Sequence, residues 1–74
     1  MEDKDKLRIL IPHWIAHNQE HAKEFRDWST RADGVSADIL AAADSIDLSN
    51  VSLSSALEKL GGNLPHPAWD YKNS

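Results

Sequence analysis

Two series of apolar residues spaced seven apart constrain this chain more than anything else in it. Leu7, Trp14, His21 and Trp28 form the first, with a histidine standing among the large apolar groups; Ile39, Ile46, Leu53 and Leu60 form the second. Between them lies Ala32-Asp33-Gly34, a helix stop, because glycine takes the left-handed backbone conformation without a Cβ penalty. Folding the chain back there sets residue i against residue 67 − i. Leu7 then meets Leu60, Trp14 meets Leu53, His21 meets Ile46, and Trp28 meets Ile39. Two sevenfold series that come into register about one short turn are what an antiparallel coiled-coil hairpin requires.

The expected fold is therefore all-α, an antiparallel two-helix hairpin within one domain of residues 1–74. Its parts are a helix over about 4–32, a turn at 33–35, a helix over about 36–60 and an irregular tail at 61–74. Leu7, Leu10, Ile11, Trp14, Phe25, Trp28 and Ala32 trace the apolar stripe of the first helix. Lys6, Gln19, Lys23 and Asp27 lie opposite, as a solvated face. Pro12 removes one backbone hydrogen bond, but the Leu7–Leu60 pairing argues that the helix passes through it with a kink. Ser36 is the candidate N-cap of the second helix, and Gly61-Gly62 ends it.

Asp47-Leu-Ser-Asn-Val-Ser52 is the weak point, since these polar residues compete with helical backbone bonds. Ser55-Ala-Leu-Glu58 reads as a capping box that could start a new helix. The alternative fold is thus a three-helix bundle broken near Ser49. In the tail, Pro65 and Pro67 flank His66 and forbid a helix there. Trp69 and Tyr71 leave open whether the tail is a bare end or docks on the hairpin.

With 74 residues, no cysteine and net charge −4, the chain has no disulfide, no thiolate metal site and no basic patch for nucleic acid. No apolar run is long enough to span a bilayer, and the charged opening M-E-D-K-D-K is not a secretion signal. A cytoplasmic location is the expectation. A two-helix hairpin leaves much of its aromatic stripe uncovered, so a homodimer that forms a four-helix bundle is expected.

Chemistry concentrates in His13, His17 and His21, each four residues from the next and so on one side of the helix. Neutral imidazole binds divalent transition metals, and a pair at i, i+4 is a helical chelate. One ion cannot take all three, because His13 and His21 lie about 12 Å apart along a helix axis. Glu20 and Glu24, three residues after His17 and His21, are candidate further ligands, as are His66 and the same histidines of a second chain. The bland alternative makes His21 a core histidine bonded to Ser49, Asn50 or a water, with His13 in solvent. Asn18 fits either reading, as a support to the ligands or as a polar residue that fixes helix register.

His17-Asn-Gln-Glu20-His21 also matches the H-x-x-E-H motif of inverted zinc peptidases. Such enzymes need a two-lobed cleft that this chain has no room to build. With no phosphate loop and no Ser-His-Asp set, no enzyme class is supported.

Pro12-His13-Trp14-Ile15, His17-Asn18, His21-Ala22 and Phe25-x-x-Trp28 together resemble an uncharacterised prokaryotic His-rich helical-hairpin domain associated with anaerobes and methanogens. That pattern is H-W-I-x-H-N-x-x-H-A-x-x-F-x-x-W, then a second helix ending in L-G-G, then L-P-H-P. Here these endings are Leu60-Gly61-Gly62 and Leu64-Pro65-His66-Pro67; the Ser-rich second helix departs from the pattern. The resemblance implies a two-helix fold and a role in handling nickel, cobalt or zinc. The function expected is a small metal-binding helical module with a zinc, nickel or cobalt ion as cofactor. Its rival is a protein–protein interaction domain that uses a Trp-rich helical face and no metal.

Overall fold

A computed structural model describes residues 2–64. Helix α1 covers Asp3–Ser29 and helix α2 covers Ser36–Leu60, packed against each other as an antiparallel hairpin. No strand is present among the described residues.

The seam between the helices follows heptad spacing, but it is displaced by one residue in α1 from the reading of the sequence. In α2 the shielded residues are Ser36, Ile39, Ala43, Ile46, Asn50, Leu53, Leu57 and Leu60, alternating in steps of three and four. The matching α1 series is Arg8, Ile11, Ile15, Asn18, Ala22, Phe25 and Ser29. A hydrogen bond of 2.9 Å from the Asn18 amide to the Asn50 side-chain oxygen fixes the register, so residue i lies level with 68 − i. The expected column Leu7, Trp14, His21 and Trp28 therefore runs along the flank of the seam. His21 is exposed, and Trp14 and Trp28 keep 37% and 57% of their surface. Only the α2 half of the expected pairing lies in the contact.

The physical reason is how closely the helices approach. Ala22 and Ala43 are 1% and 0% exposed, and Ser29 is buried near the turn. Small side chains let two helix backbones come together, and a tryptophan in the seam would hold them apart. Ser29 is not stranded there, because its hydroxyl donates to the Arg26 carbonyl at 2.6 Å within its own helix.

α2 is continuous through the Ser-rich stretch, so the three-helix alternative does not form. The residues that threatened it are satisfied without opening the helix. Asn50 accepts from Asn18 and donates to the Ile15 carbonyl at 3.1 Å; Ser49 donates back to the Ser45 carbonyl at 3.2 Å. Asn18 and Asn50 thus form a polar rung in an otherwise mainly apolar ladder, which penalises any slip that would leave either amide unpaired.

α1 passes through Pro12. Proline has no N–H to give to the carbonyl four residues earlier, which is that of Arg8. The Leu64 N–H donates to this carbonyl at 3.3 Å, as the chain comes back onto α1 after α2. The Arg8 side chain completes the clasp, with Nε donating to the Gly62 carbonyl at 2.7 Å and Nη2 to the Gly61 carbonyl at 3.1 Å. Gly61 has φ +104, with its N–H bonded to the Glu58 carbonyl and that of Gly62 to the Leu57 carbonyl, a Schellman closure of α2.

At the other end α1 stops at Ser29, three residues before Ala32. Arg31 and Ala32 N–H groups bond to the Trp28 and Ser29 carbonyls, tightening the last turn, and Val35 N–H bonds to the Ala32 carbonyl around Gly34 at φ +88. Val35, not Ser36, is the N-cap of α2. No side-chain hydrogen bond caps it, and Ser36 is already helical.

Candidate functional site

The outer flank of α1 carries the chemistry that the seam does not use. Under heptad geometry, Leu7, Trp14, His21 and Trp28 form the column beside the seam, and Leu10, His17, Glu24 and Arg31 the next one out. The helix places His17 and His21 on successive turns, with ring centroids 4.7 Å apart and ring planes inclined at 36°. Both side chains are exposed. Trp28 lies one further step along its column, and the Arg31 guanidinium sits 5.1 Å from its ring, a cation–π contact at the end of the strip.

His13 is half-buried, one turn before His17, and takes part in an interaction of its own. Glu20 and Glu24 are exposed. His66 and the question of tail docking lie outside the described residues. Among the described residues, no three side chains of His, Asp or Glu converge closely enough to hold an ion. The chain brings two imidazoles together, and no third such side chain joins them closely enough to complete a set among the described residues. The core role considered for His21 is also overturned, since Asn50 is engaged with Asn18 and Ile15 while His21 faces solvent.

On the opposite edge of the hairpin, Arg26 Nη2 donates to Asp47 at 2.6 Å and to Asp44 at 2.9 Å. The hydrogen bonds to Asp47 and then Asp44 raise the guanidinium pKa above its ordinary value. This bridge and the Asn18–Asn50 rung were missed in the sequence. The signal for the rung was present: Asn50 falls in the alternating three-and-four series of α2, at the level of Asn18. Arg26 offered no comparable cue, because its partners are set by the register.

No helix among the described residues is long and apolar enough to cross a membrane. No curated protein and no solved structure matches the chain. The family model described as Domain of unknown function (DUF8180) matches residues 7–60, which takes in the seam, the turn and the histidine flank. A match over that span makes the chain a member of the DUF8180 family.

Proposed function

We propose that this domain is a small helical metal-binding module for zinc, nickel or cobalt, and that the His17–His21 pair is its chelate. The observation that carries the reading is the pair itself, two exposed rings 4.7 Å apart on a rigid helix. Imidazole nitrogen suits all three ions, and the helix holds the donors near each other before an ion arrives. The resemblance to a prokaryotic His-rich hairpin domain points the same way. Glu20 and Glu24 add negative charge beside the pair and would act as outer partners to the ligands.

The test is thermal unfolding of the full chain with each ion added in turn. A ligand that binds only the folded state stabilises it by about 2.7 kcal/mol at a hundred times its Kd. In a domain of this size that raises Tm by roughly 10–20 °C. The shift should be absent in His17→Ala and should fade on acidification, because only neutral imidazole binds the ion. No shift with any of the three ions would sink the proposal. A second reading, a docking module without metal, draws support from Trp28 and Trp14, which are 57% and 37% exposed on the same flank.

A further inference from the structure

Two nitrogens fill half of a tetrahedral coordination sphere, and the described residues place no third donor beside them. We propose that a second copy of this chain completes the site, so that one ion is held by four imidazoles across a two-fold axis. This rests on the metal-binding reading above and adds the partner to it.

The axis would pass between His17 and His21, close to the middle of Asp3–Ser29, and lay α1 antiparallel to α1 of the second copy. Residue i of one copy then lies level with 38 − i of the other, which sets His17 against His21 twice over. The same operation sets Trp28 against Leu10 and Trp14 against Glu24. The tryptophan-bearing flank of each copy is thus turned toward the other. Nothing on α2 obstructs it, because the α2 residues along that edge are Ala42, Ser49 and Ala56, all small and exposed. Electrostatics favours a cation at the junction: each chain carries net charge −4, and Glu20 and Glu24 flank the histidines. The nearby Lys23 ammonium is drawn off toward Asp27, 3.4 Å away.

Sedimentation equilibrium of the full chain, with zinc or cobalt and then with EDTA, decides the matter. The expected result is a doubling of mass at one ion per two chains, reversed by the chelator. Bound cobalt should show the strong visible bands of a four-coordinate tetrahedral site. His17→Ala and His21→Ala, both at exposed positions, should keep their helical circular dichroism and stay monomeric with metal. One ion bound per chain without change of mass would overturn the bridge and leave the metal-binding reading standing. No binding at all would remove both. A dimer that persists in EDTA and in His17→Ala would overturn the bridge and show that the tryptophan flank associates without an ion.

Discussion

Along one edge of the hairpin Arg26 reaches across to Asp44 and Asp47; along the other, Trp14, His21 and Trp28 stand beside Ala42, Ser49 and Ala56, and no comparable ion pair bridges the helices there among the described residues. Both edges flank the same seam, so the difference lies in side-chain chemistry. A charged bridge keeps its edge hydrated, and an apolar partner would have to strip water from three ionised groups to sit on it. The tryptophan edge has no such barrier and exposes apolar area that a partner would cover. The hairpin is thereby sided, with one edge bridged by charge within the chain and the other carrying exposed tryptophans.

The comparison can be broken most severely at the seam that both edges share. Ile11→Ala should cost about 2–5 kcal/mol by opening a cavity between the helices. For a domain this small that approaches the whole stability, so the thermal transition should collapse or vanish. A loss under about 0.5 kcal/mol would mean that the seam lies elsewhere. Next in size is Asn50→Ala, which strands the Asn18 amide and should cost about 1–3 kcal/mol in urea unfolding. Replacing both asparagines by leucine should recover that loss or exceed the parent, at the expense of a unique register. A double mutant as weak as the single would refute the rung.

The edges themselves should respond in different ways. Arg26→Ala should lower Tm by a few degrees at low ionic strength and by nothing measurable in 1 M NaCl, as expected of an exposed pair. Its raised pKa means that the guanidinium keeps its charge across the physiological pH range, so on the arginine's side the bridge is present below the unfolded-state pKa and is lost only in strong alkali. Smallest of all, Trp28→Ala should change monomer stability by no more than about 0.5 kcal/mol while weakening any association through that flank. A large loss of monomer stability in Trp28→Ala would mean that the tryptophan belongs to the core and that the edges are not as different as drawn.

Much of the hairpin was legible because its signals are local. Gly61-Gly62 closed α2 where expected, Gly34 served the turn, and Ile39, Ile46, Leu53 and Leu60 marked the contact face of α2. The α1 face was misread by one residue, for a reason that lies in the side chains. Its largest apolar groups, Trp14 and Trp28, sit on the flank, whereas the contact uses Ala22, Asn18 and Ser29. A stripe weighted by hydrophobicity follows the tryptophans, but close packing favours the small residues. The histidine pair was legible as a spacing; that it faces outward was not, because the orientation of α1 depends on which residues let the helices meet.

By itself, then, the sequence determined that the chain is helical, that it turns back about Gly34 and that α2 ends at Gly61-Gly62, since helical period, glycine and proline act over a few residues; whether α2 would break near Ser49 it left open. It also determined that His17 and His21 neighbour each other, which any helix of this spacing ensures. Only the tertiary structure decided which side of α1 meets α2, that the Leu64 N–H answers the Arg8 carbonyl that Pro12 leaves free, and that Asn18 pairs with Asn50. Those outcomes depend on how closely two backbones can approach and on which buried polar groups find partners. Both are properties of the pair of helices, and neither helix carries them alone.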